Sequence, residues 1–233
     1  MRKISNLSPQ AREYAIYREV LRGNVPSFLR QMVPINISED PNVDVVIWAM
    51  PDYLAIGSDE DFVRVPVNLL TASKLAEDFG LSLPTPKIVD IIYDQAAVKL
   101  QPITFRPGHD MDSAEYILAH NQAIQEQLNG PFPHLLMAGH KKDIVLCQRM
   151  MRKKGSIAIY GWHKSAHDPI QPLSTAHSAS YADYSHGVRL ISQVVYVNGR
   201  TRSLAWLLSD PRFYKLISNE RLFVSTWKPA TSS

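Results

Sequence analysis

Strand-forming and helix-forming segments come in blocks along this chain, and the blocking restricts its fold more than any motif does. A parallel sheet needs strand and helix to alternate, because each parallel crossover takes a dozen or more residues. Here a helix comes first, from Pro9 to Arg22, with Ser8 as its cap, proline at its first position and Gly23 as its stop. A short helical segment around Val25 to Met32 follows. Three strand-like runs then come in succession: VDVVIWAM from Val43, YLAIG from Tyr53 and FVRVPV from Phe62. They predict an antiparallel meander.

Three helices come next. Asn68 or Thr71 caps one from Ala72 to Phe79, which Gly80 ends. Thr85, with Pro86 at the first helical position, starts another whose buried stripe is Ile88, Ile91, Ile92 and Ala96. The segment QPITFRP is extended, and Met111 to Leu128 forms the third helix, stopped by the prolines of GPFP.

Strands return in the second half. Ile144 to Met150 and Ser156 to Trp162 predict a hairpin about the basic turn RKKG, with Cys147 a small core residue in its first strand. Gly187 to Val197 reads as one strand ending at the turn Asn198-Gly199. Thr201 to Ser209 and Pro211 to Ile217 read as helical, with Trp206 and Leu207 buried, before a frayed tail. The expected fold is therefore α+β: a mainly antiparallel sheet with helices packed on it and a helical N-terminal segment. Residues 1–233 are expected to form one domain, with Gly130-Pro131 as the seam if the chain divides into two lobes.

Composition narrows the function classes. Hydrophobic residues make up 45% and charged residues 20% of 233, the balance of a chain that folds. The formal net charge is only +3, and a dedicated nucleic-acid binder concentrates more positive charge than that. No apolar run is long enough to span a bilayer, so the expectation is a soluble protein. The N-terminus has a basic start without the apolar stretch of a leader, which fits a cytoplasmic protein or an exported one whose leader has been removed. The single cysteine excludes an internal disulfide.

Chemistry concentrates between Tyr160 and Arg189, which hold four of the eight histidines: His163, His167, His177 and His186. In YADYSHG, an extended chain puts Tyr181, Asp183 and Ser185 on one face and Tyr184 and His186 on the other. A helical chain would instead align His177, Tyr181 and Tyr184. Gly187 favours extended geometry from Tyr184 onward. The segment GHKKD adds His140 and Lys142, and the hairpin would bring His140 beside His163.

The expected site thus gathers His140, His163, His177, Asp183 and His186 at one sheet edge. The expected activity is hydrolysis or acyl transfer at an amide or ester bond of a small-molecule or peptide-like substrate. In it His177 is the base, Ser185 the nucleophile, Asp183 the orienter, and Lys142 or His140 the oxyanion partner, with roles permutable among His163, His177 and His186. Tyr181, Tyr184, Trp162, Arg189 and Gln171 are the expected substrate contacts. No cofactor is expected. Alternatives are a metal-dependent enzyme using the same histidines, although HExxH and HxH spacings are absent, and a binding or structural module without catalysis. The basic clusters KK and RKK, with tyrosines nearby, read as solvated hairpin ends that could touch phosphate.

Overall fold

The computed structural model describes residues 7–37, 40–128 and 135–222. Helix α1 (Pro9–Leu21) starts at Ser8, whose Oγ accepts from Ala11 N at 3.3 Å. A 3-10 turn at Ser27–Arg30 buries Phe28 and Leu29 and leads into β1 (Val33–Ile37), which pairs antiparallel with β2 (Val45–Ala49). The next strands, β3 (Ala55–Gly57) and β4 (Phe62–Arg64), pair only with each other. The expected meander is therefore broken after β2. Pro51 has no N–H for a ladder, and Asp52 turns inward to meet Arg64, so the chain leaves the sheet there.

Helices α2 (Leu69–Asp78) and α3 (Pro86–Gln95) start where caps were expected: Asn68 Oδ1 accepts from Thr71 N at 2.9 Å, and Thr85 Oγ1 from Ile88 N at 3.2 Å. Between them lies β5 (Leu81–Ser82). Thr85 also donates to Ile217 O, tying α3 to the far end of the chain. After β6 (Val98–Lys99) the QPITFRP segment is extended, and α4 (Ala114–Leu128) follows. The GPFP stop, the lobe seam and the frayed tail lie outside the described residues. Strand β7 (Met137–Ala138) pairs parallel with β6.

The second half departs further from expectation. Strand β8 (Lys142–Ile144) is short, and the chain then forms helix α5 (Gln148–Arg152) before β9 (Ile159–Ser165). The antiparallel pairing of β8 with β9 holds, with Lys142 opposite Gly161, but a helix connects them rather than a tight turn. Cys147 sits at the start of that helix, where its Sγ accepts from Met150 N at 3.4 Å. Strand β10 (Asp168–Ser174) folds back on β9, and the long final strand breaks into β11 (His186–Gly187), β12 (Ile191–Ser192) and β13 (Val194–Val197). Asn198 (φ 49°) and Gly199 (φ 72°) form the left-handed hairpin turn to β14 (Arg200–Ser203), so helix α6 (Leu204–Ser209) begins later than expected.

Two sheets result. In the larger, β1 covers one edge of β2, while β12 and β13 share the other, with β5 beyond β12 and β14 beyond β13. The smaller has the order β10-β9-β8-β11, antiparallel except that β11 runs parallel to β8. The architecture is α+β and mainly antiparallel. One apolar cluster runs from Ile16 to Leu222 and includes Ile47, Ile88, Ile159 and Ile191. No helix among the described residues is long and apolar enough to cross a membrane.

Candidate functional site

The starts of β8 and β11 lie side by side in the smaller sheet and against the middle of β9, since Lys142 is opposite both Gly161 and His186. The imidazoles there are nevertheless parted among three different carboxylates. His140, fully buried, donates from Nε2 to Asp52 Oδ1 at 3.0 Å, and Arg64 Nε donates to Asp52 Oδ2 at 2.8 Å. Burial pushes the His140 pKa down to about 4 despite Asp52, while Arg64 and His140 hold Asp52 ionised against its own burial. His163 Nε2 meets Asp90 Oδ1 at 2.9 Å, and Tyr160 donates to the same oxygen at 2.8 Å.

A regular strand would turn Tyr160 and His163 to opposite faces. Both reach Asp90 because Gly161 (φ 106°) and Trp162 (φ 59°) have left-handed backbones that break the alternation. This irregularity takes His163 toward α3, where its ring stacks on Tyr93 at 4.7 Å. The expected gathering of all five groups does not hold: His140 and His163 belong to separate pairs, the first fully buried and the second with its Asp90 carboxylate partly exposed.

The third group keeps the rest of the histidine-rich segment together. Asp183 is buried and accepts at Oδ1 from Ser185 N (2.8 Å) and Ser185 Oγ (2.5 Å), an Asx turn closed by its own sequence neighbour. Tyr181 OH donates to Asp183 Oδ2 at 3.1 Å, and His186 Nε2 stands 4.0 Å from that oxygen. Neither His186 ring nitrogen has a hydrogen-bond partner among the described residues, although the side chain is fully buried. Burial lowers its pKa to about 4, opposed by Asp183 and assisted by Lys142 and His177. Burial works to raise Asp183, but His186, the Ser185 hydroxyl and Lys142 together hold it below the ordinary carboxylate value. His177 is exposed and stacks on Tyr181 at 4.5 Å, and the Tyr181 ring lies edge-on to His186 at 5.7 Å. The i, i+4 contact of the helical reading is thus made without a helix.

The expected roles change with this geometry. Ser185 is fully buried with its hydroxyl on Asp183, and no imidazole stands between them, so it positions the carboxylate instead of presenting a nucleophile. His177 lies across Tyr181 from His186, so the buried imidazole, not the exposed one, is next to the acid. Arg189 donates to Met50 O and Met137 O, both at 2.6 Å, inside the core and is withdrawn from substrate contact. Tyr184 belongs to a buried aromatic layer with Phe105 (5.1 Å) and His120 (5.0 Å), its hydroxyl accepting from Phe105 N at 2.8 Å. Gln171 lies on β10, its Nε2 donating to Pro172 O. Lys142 is half-buried, 4.8 Å over the Trp162 ring, and Trp162 is buried with its indole N–H unpartnered among the described residues. Burial lowers the Lys142 pKa, against the pull of Asp183.

Sequence reasoning missed Lys141, Asp52 and Asp90. Lys141 is not a surface cation: it is buried, donates to Tyr184 O at 2.5 Å, and burial brings its pKa down to about 7. Asp52 and Asp90 each interrupt an apolar run, AMPDYLAI and IVDIIY, and a carboxylate in such a setting is the legible sign of a buried partner. Among the described residues no group of three His, Cys, Asp or Glu side chains is placed to hold a metal ion. Comparison with protein-family models, curated proteins and solved structures finds no match to this chain.

Proposed function

We propose that the Asp183–His186 pair, with Lys142 and Tyr181, performs general acid–base chemistry in hydrolysis or acyl transfer at an ester or amide bond. One observation carries the reading: a buried imidazole with two unpartnered nitrogens beside an ionised carboxylate. Unpartnered polar atoms are destabilising in an interior unless a ligand or reacting group satisfies them. In this reading His186, neutral at pH 7, takes a proton from water or an attacking hydroxyl, and Asp183 stabilises the imidazolium that forms. Ser185 and Tyr181 fix the carboxylate. The half-buried Lys142 ammonium steadies the developing oxyanion. The exposed His177 ring, stacked on Tyr181, is the outermost layer over His186 on this side, where substrate would first meet the cluster.

The test is a panel of chromogenic esters and aminoacyl amides run against the wild type, His186→Asn and His177→Ala, with circular dichroism to verify the fold. Turnover by the wild type, abolished in His186→Asn and retained with a changed KM in His177→Ala, supports the assignment. An inert wild type, or a fully active His186→Asn enzyme, sinks it and leaves the cluster as an internal brace.

A further inference from the structure

The basic segment RKK borders a cavity that the proposed chemistry does not use. It is an open surface depression of about 610 Å³, lined by Gln148, Arg149, Arg152, Lys153 and Glu220. Gln148, Arg149 and Arg152 lie within α5 at helical spacing that puts them on one side, while Met150 anchors the other side in the core. The facing wall is fixed by hydrogen bonds. Gln148 N donates to Glu220 Oε1 at 2.5 Å, and Gln148 Nε2 donates to Arg221 O at 3.2 Å. Ser218 Oγ donates to Glu220 O at 2.7 Å and accepts from Glu220 N at 3.2 Å. Lys153 Nζ donates to Thr175 O at 3.1 Å, which brings its charge in from a third direction.

Three cations therefore border one carboxylate, and a backbone N–H already occupies one oxygen of that carboxylate. Neither Arg149 nor Arg152 has an ion-pair partner among the described residues. Two guanidinium forks at i, i+3 on one helix match the tetrahedral oxygens of a phosphate, which can accept from both. The Glu220 carboxylate would repel a bare anion but accepts well from a hydroxyl. The space opens widely to solvent, and its volume exceeds what inorganic phosphate alone would fill.

We infer that this cavity binds a small phosphate ester with free hydroxyl groups, its phosphate on Arg149 and Arg152 and a hydroxyl on Glu220. The inference is independent of the acid–base site. It is tested by isothermal titration of the full chain with ribose 5-phosphate, inorganic phosphate and ribose, at low salt and at about 0.15 M salt, where exposed charges are screened over about 8 Å. Ribose 5-phosphate should bind more tightly than either other probe, and more weakly as salt is raised. Its affinity should fall on the order of tenfold or more in an Arg149→Ala/Arg152→Ala variant, as charge-assisted hydrogen bonds are lost. Both arginines are exposed, so this variant should keep the wild-type circular dichroism spectrum. Glu220→Gln keeps an oxygen for Gln148 N and should narrow the gap between the ester and inorganic phosphate. No binding of ribose 5-phosphate, undiminished binding in the double variant, or inorganic phosphate binding as tightly as the ester would each overturn the inference.

Discussion

Replacing Arg64 with methionine probes the buried charge cluster of Arg64, Asp52 and His140 beside β8. Arg64 is buried, bonds Asp52 through Nε at 2.8 Å and lies over the Phe62 ring at 5.0 Å. Methionine retains much of the stem packing and removes the charge, together with the hydrogen bond from Nη1 to Asn121 Oδ1 at 3.3 Å. Asp52 is then left ionised in the interior with a neutral imidazole at 3.0 Å and the Tyr53 N–H at 2.7 Å but no countercharge beside it, and breaking a buried pair in this way costs about 3–5 kcal/mol. The deficit should depend on pH with a definite sign. In the wild type burial holds His140 down to about 4, and Arg64 adds to that depression while Asp52 opposes it. Without Arg64 one of the charges that depress His140 is gone, so its folded-state pKa rises while burial still holds it down. A proton then binds the native variant that the native wild type does not bind, so the deficit shrinks as pH falls through the raised value. Urea unfolding followed by tryptophan fluorescence at pH 8 and pH 5 measures both deficits. Adding Asp52→Asn to Arg64→Met should recover part of the loss, giving a coupling energy well above the error of a double-mutant cycle. A loss under about 1 kcal/mol at pH 8, typical of an exposed pair, or equal deficits at both pH values, refutes the reasoning.

If His186 is the base, hydrolysis should be lost as pH falls through about 4, well below an ordinary imidazole, because the proton acceptor exists only above its pKa; an acid limb near 6.5 would contradict its burial. Gly139→Ala should destabilise the fold by about 2 kcal/mol or more, because the backbone is at φ +100° and an added Cβ would lie 2.3 Å from Leu100 O; an unchanged melting temperature would exclude that strain. Cys147 is buried and burial raises its thiol pKa, so Ellman's reagent should react with it only after unfolding in urea, and rapid native reaction would place the thiol at the surface.

What the sequence disclosed was what short-range chemistry decides. Ser8, Asn68 and Thr85 each cap the helix that follows because a side-chain oxygen reaches an N–H three residues ahead, and Asn198-Gly199 turns because both residues accept left-handed backbone. The grouping of helices and strands likewise led to the α+β architecture. The site was less legible, for a physical reason. A histidine-rich segment suggests that its imidazoles share one centre, yet His140 takes its acid from 88 positions away and His163 from 73. Those partnerships depend on tertiary burial, as does the interior position of Lys141, whose sequence setting is that of a surface turn. Only the Asp183 group, built from residues within one segment, could be read locally, and there the close hydroxyl–carboxylate contact removed the relay that the residue types suggested.

The position of β2 also bears on how the chain reaches its native state. Both neighbours on one side of this strand come from the far end of the sequence, with Tyr196 beside Val46 and Ile191 beside Ala49. During synthesis that side must wait, its amides unpaired, while most of the polypeptide emerges from the ribosome. Long-range closure of this kind slows folding and exposes apolar surface to self-association. Refolding yield should therefore decline with protein concentration, and a nascent-chain holdase that covers β2 should restore it.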